Sequence, residues 1–177
     1  MAKGATVKMI EQYLRRYGWQ RFESREEPDE KEGVVLTGWK GLGDSQHMMV
    51  IDPIVEKNVL VFHVPKVLSA PLDTTPSDCL RELLVALGNI NYQILVGKFG
   101  YDPRDGEVRF TVVVPTDNIN LTYEQFEHCM RVITMTVERY GPSLQEIANG
   151  SKTHQDLDSS SDLMGALRRM IEGLGRD

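Results

Sequence analysis

Asp102-Pro103-Arg104-Asp105-Gly106 stands between two stretches suited to strands and turns the chain back on itself. Pro103 presets φ at the first corner, and Gly106 supplies a position where φ must be positive. The flanking segments, Tyr92 to Phe99 and Glu107 to Pro115, are therefore expected to pair antiparallel. Val112, Val113 and Val114 put apolar side chains on both faces of the second strand, which suits a central position or one against a partner. Thr122 with Gln125 three residues on is a capping box, and Leu121 and Phe126 stand where a hydrophobic staple belongs. Phe126, Cys129, Met130, Ile133, Val137 and Tyr140 continue that helix. Gly141-Pro142 is expected to break or kink it, because proline lacks an N–H and clashes with the preceding turn.

Ahead of this unit, Val7, Ile10, Leu14 and Tyr17 mark one face of a helix that Gly18 should end. Trp19 to Phe22 could begin an extended segment, and the charge-rich stretch 23–32 reads as a solvated loop. Val34 to Lys40, Met48 to Asp52 and Val59 to Val64 suit an antiparallel meander, with Pro53 and Pro65 at its breaks. A second helix should start at Thr75-Pro76, bury Leu80, Leu83, Leu84 and Leu87, and close at Gly88 or Asn89. The order is helix, three or four strands, helix, two strands, helix. Segregated strands and helices with hairpin connections make an α+β fold. The chain divides into a domain over 1–150, a polar linker over 151–162 and an amphipathic helix over 163–174. That last helix is too short to be stable alone, so it must dock on something.

The 177 residues suit one domain and can bury roughly 70% of the unfolded surface without disulfide or metal. A net charge of -6 disfavours a general nucleic-acid-binding role, which needs a basic patch against phosphates. The N-terminal residues carry no signal-peptide pattern, and no apolar run approaches the ~20 residues of a membrane span. A cytoplasmic protein with no membrane insertion is expected.

Gly38-Trp39-Lys40-Gly41-Leu42-Gly43-Asp44-Ser45 has its lysine ahead of the glycines and a strand after them, so it reads as a turn and not a phosphate loop. His47 and His63 could share adjacent strands, but no third ligand falls at a metal spacing. His128 and Cys129 point about 100° apart on a helix and cannot form a useful pair. Asp102 and Asp105 resemble paired catalytic carboxylates, yet Asx-type turn capping accounts for both. Trp19 and Trp39 suit sheet packing. No catalytic, cofactor or metal set emerges.

Leu-Leu-Val-Ala-Leu-Gly-Asn-Ile-Asn-Tyr (83–92), Gly-Lys-Phe-Gly-Tyr-Asp-Pro-Arg-Asp-Gly-Glu-Val (97–108), Leu-Thr-Tyr-Glu-Gln-Phe (121–126) and Tyr-Gly-Pro-Ser-Leu (140–144) resemble the YbjN family, most of all the versions from photosynthetic bacteria. The resemblance covers the chain to about residue 150. It implies a fold like that of type III secretion chaperones, homodimers, and binding of peptide segments from other proteins. The function so implied is a non-catalytic, chaperone- or adaptor-like binding module. Two alternatives stay open: a ligand-sensing or stress-response regulator switched by its C-terminal helix, and an enzyme with an unrecognised site. Val108, Phe110 and Val112 share one strand face, and Leu163, Leu167, Met170 and Ile171 one helix face. These seven are the expected partner-binding residues, provided the helices leave that strand face uncovered.

Overall fold

A computed structural model describes residues 5–25, 33–41, 45–116 and 121–161. Helix α1 (Val7–Tyr17) begins where Thr6 accepts a bond from the Met9 N–H and ends at Gly18, whose φ of 93° closes it. Strands β1 (Phe22–Arg25), β2 (Val34–Lys40), β3 (Gln46–Ile54) and β4 (Val59–Ser69) follow. Then come α2 (Ser77–Gln93), β5 (Lys98–Asp102), β6 (Glu107–Pro115), α3 (Tyr123–Ala148) and a 3-10 helix, His154–Ser161. The strands form one antiparallel sheet in the order β1-β2-β3-β4-β6-β5. This is the expected α+β architecture. Helix α2 carries the chain from β4 to the edge, and the β5–β6 hairpin folds back so that β6 pairs with β4.

One sheet face and the helices make the core. Val35, Ile51, Phe62 and Val112 lie opposite one another across β2, β3, β4 and β6. They pack with Ile10 and Leu14 of α1, Leu83 and Leu87 of α2, and Ile133, Val137 and Leu144 of α3. The Phe62 and Phe126 rings stand 5.8 Å apart and tie sheet to α3. The capping box at Thr122 and Gln125 is formed, with Leu121 and Phe126 both buried beside it.

Several elements differ from the sequence expectation. Helix α2 starts one residue later, with Pro76 at its cap and no side-chain cap bond. It continues through Gly88 and Asn89 to Gln93, so β5 begins at Lys98 and not at Tyr92. The reason is tertiary. Ile90 is buried, and the Asn91 side chain accepts from the Phe99 N–H at 2.8 Å and donates to the Phe99 carbonyl at 2.9 Å. Those bonds offset the roughly 1 kcal/mol that a helical glycine costs. Leu84, expected in the buried stripe, is exposed, and Ala86 and Ile90 fill the core instead. Helix α3 runs unbroken past Pro142, whose ring is exposed while Tyr140 and Leu144 on either side are buried. Packing along the whole helix outweighs the bond that proline removes.

Pro53 lies within β3, and Pro65 within β4 at a register shift between Val64 and Leu68, where a bulge tolerates a missing N–H. Strand β1 takes in Glu23 to Arg25, and the rest of the charged stretch lies outside the described residues. The expected linker is structured where described. His154–Ser161 form the 3-10 helix, Leu157 is buried in the core cluster, and His154 meets Glu82 of α2. The expected helix over 163–174 lies outside the described residues.

Candidate functional site: the open face of the sheet

Side chains alternate across a strand, so each core position leaves its neighbours on the other face. Cross-strand register groups that second face into rows. Leu36, Val50, His63, Thr111 and Lys98 form one. Asp52, Val61 and Val113 form the next, and Ile54, Val59 and Pro115 a third. Met48 pairs with Gly38 at the opposite end. Among the described residues, none of these belongs to the core cluster that the helices cover. Val113 and Met48 are 51% and 50% exposed, Leu36 and Val50 are half-buried, and Val61 is buried. The result is an apolar surface spanning β2, β3, β4 and β6.

Its centre is polar. The His63 Nδ1 lies 3.2 Å from the Thr111 hydroxyl oxygen, in agreement with one satisfied nitrogen on a strand histidine. Burial holds the His63 pKa below its ordinary value, and the Arg109 guanidinium adds to that, against Asp52 and Glu107. Arg109 is itself held by Glu107 at 2.9 Å and by Asp102 at 3.7 Å. Such a surface can hold an apolar segment and position it by a few polar contacts.

Val108, Phe110 and Val112 do not belong to it. Their strand face is the one the helices cover, and all three are buried in the core. The expectation that they meet a partner is corrected: the uncovered residues of the same strand are Arg109, Thr111 and Val113. Leu163, Leu167, Met170 and Ile171 lie outside the described residues. Leu36, Met48, Val50, Val61 and Val113 were missed by sequence reasoning. The signal was present in Val59-Leu60-Val61-Phe62, a run apolar at every position and so apolar on both faces.

The remaining candidates resolve as packing. His47 and His63 sit on adjacent strands but on opposite faces. Asp102 and Asp105 accept from the backbone N–H groups of Arg104 and Glu107, which are Asx-type turns. Bonds from Arg104 hold the Asp102 carboxyl well below the usual carboxylate range. Burial pushes the Cys129 thiol up to about 11, the opposite of an activated nucleophile. The Gly41 N–H donates to the Ser45 carbonyl between β2 and β3, as a chain reversal requires. No group of three His, Cys, Asp or Glu among the described residues could hold a metal ion. No helix among them is long and apolar enough to cross a membrane.

The sequence model of YbjN, described as "Putative bacterial sensory transduction regulator", matches residues 6–146. The chain belongs to the YbjN family. The family match takes in the whole sheet and stops short of the 3-10 helix. The chain is also similar to one in the crystal structure of the ExsC-ExsE complex, with 16% identity over 80% of this chain and 96% of that one, and a TM-score of 0.45. No curated protein matches the sequence.

Within the YbjN-family region, the helix side of the sheet holds a second cluster. Trp39 Nε1 donates to Glu138 Oε1 at 2.8 Å, and His47 Nε2 lies 3.3 Å from the same oxygen. The Trp39 ring stacks between His47 at 4.9 Å and Trp19 at 6.0 Å. Glu138 thereby ties α3 to the β2–β3 hairpin, and the Trp39 carboxylate partner is what the sequence could not reveal. Glu138→Ala leaves the half-buried indole N–H unpaired and should cost about 1–3 kcal/mol in chemical denaturation. An unchanged midpoint would show that water replaces the bond at no cost.

Proposed function

We propose that this chain is a non-catalytic protein-binding module, chaperone- or adaptor-like, that holds extended apolar segments of other proteins on the open sheet face. The observation that carries the reading is the group of apolar side chains at Leu36, Met48, Val50 and Val113, two exposed and two half-buried, around the His63–Thr111 pair on the face that the described helices leave bare. Large uncovered apolar patches on soluble domains mark interaction sites. The reading has the protein working in the cytoplasm as a homodimer, a regulator by virtue of what it binds. Light scattering at tens of micromolar checks the assembly, and a monomer mass would remove that part.

The test of recognition is panning of a random peptide display library against the full chain. Peptides with alternating apolar residues should be enriched, and Val113→Glu with Met48→Glu should weaken them at least about tenfold, the cost of burying unpaired charge. Absence of any consensus, or peptides indifferent to both substitutions, would overturn the reading.

His63 adds a pH dependence. A peptide covering the face deepens the burial that already lowers the His63 pKa. The complex then binds fewer protons than the free chain, so affinity is full above the free chain's own His63 pKa, which already lies below the ordinary 6.5, and falls as pH drops through that lowered value. Titration calorimetry between pH 5 and 8 should show this decline, and His63→Gln should flatten it.

A further inference from the structure

Helix α2 carries an apolar stripe that its own core leaves out. Leu84, Val85 and Tyr92 share one face around Gly88, and Leu95 follows in the next turn of chain. Tyr92 and Leu95 are 93% and 99% exposed. A Cβ at Gly88 would meet nothing within 4 Å, so the middle of the stripe is flat and open. This surface is separate from the open sheet face.

We propose that the occupant of this stripe is the chain's own C-terminal segment, residues 163–174, docked in cis. Three observations lead there. The first is delivery. The His154 N–H donates to Glu82 Oε2 at 3.1 Å, and the His154 Nδ1 lies 2.6 Å from the same oxygen. Leu157 is buried in the core, so the chain is fastened to α2 one turn before Val85. The second is length. Sixteen residues follow Ser161, and a helix from Leu163 to Leu174 would be about 17 Å long, against about 15 Å for the stripe. The third is pattern. Leu163, Leu167, Met170, Ile171 and Leu174 recur at the spacing of a single helix face. A segment this short is marginal as a free helix, but the five residues 158–162 that separate it from the buried Leu157 make a tether short enough for an effective concentration on the order of millimolar. A second copy at micromolar concentration competes poorly with it.

Paramagnetic relaxation in the full-length protein tests this. A nitroxide is attached at Asn89→Cys, beside the stripe, with Cys79→Ser to prevent labelling there. Amide signals of 163–174 should be lost, return when the label is reduced with ascorbate, and persist when Leu84→Glu and Tyr92→Glu are added. A label at Met48→Cys on the sheet face should leave them intact. Three results overturn the proposal. The signals survive the Asn89 label; they are lost only when spin-labelled chains are mixed with separate isotope-labelled chains; or they are lost to the Met48 label instead. Because the peptide-panning result depends on the sheet face alone, the two readings can fail independently.

Discussion

Phe110→Ala is expected to destabilise the protein by about 3–5 kcal/mol, the usual cost of emptying a fully enclosed phenylalanine site. The ring has no exposed surface, stands 4.8 Å from Phe99, and fills the space that a side chain at Gly97 would need. Since domains are stable by only about 5–15 kcal/mol, the variant should lose a large part of its folding free energy. Urea denaturation checks it: the midpoint should fall sharply with little change in slope. Val113→Ala, three residues on but on the open face, should move stability by no more than about 1 kcal/mol. Had Phe110 been a partner contact, the two variants would be equally stable and differ only in binding. Equal midpoints would therefore undo the assignment of faces on which the proposed function rests.

Gly106→Ala should be nearly as damaging, by about 2–5 kcal/mol, for a different reason. The residue has φ 74°, where a Cβ costs about 1–2 kcal/mol. That Cβ would also fall 2.3 Å from the Pro71 nitrogen and 2.4 Å from the Ala70 carbonyl carbon, so backbone must move. Overpacking of this kind adds about 1–3 kcal/mol. The Ala70 N–H donates to the Gly106 carbonyl at 2.8 Å, and the Tyr101 hydroxyl donates to the Ala70 carbonyl at 2.9 Å. The hairpin thus pins the segment that leads from β4 into α2. Thermal unfolding followed by circular dichroism should show the loss. Gly100→Ala, whose nearest neighbour would be 4.0 Å away, serves as the control and should cost under about 1 kcal/mol. If both substitutions cost the same, the close approach of Gly106 to Pro71 carries no energy.

Much of the fold could be read from residues four apart or closer. The end of α1 follows from Gly18, the start of α3 from Thr122 and Gln125, and the β5–β6 turn from Asp102 to Gly106. Strand β2 was expected with the ends it has. The site was less legible. Phe110 and Val113 are both apolar residues of one strand, and nothing local distinguishes the covered from the open side. The same holds for Leu83 and Leu84 in α2, one buried and one exposed.

The Gly18 stop, the capping box of α3 and the Asp102–Gly106 turn rest on bonds that close within a few residues, and these were legible in the sequence alone. Tertiary structure decided the end of α2, where Asn91 reaches Phe99, and the continuity of α3 through Pro142. It also decided the docking of the 3-10 helix on Glu82 and the sheet face that the helices cover. Each of these depends on burial and on partners distant along the chain, and their free energy exists only once the layers have packed.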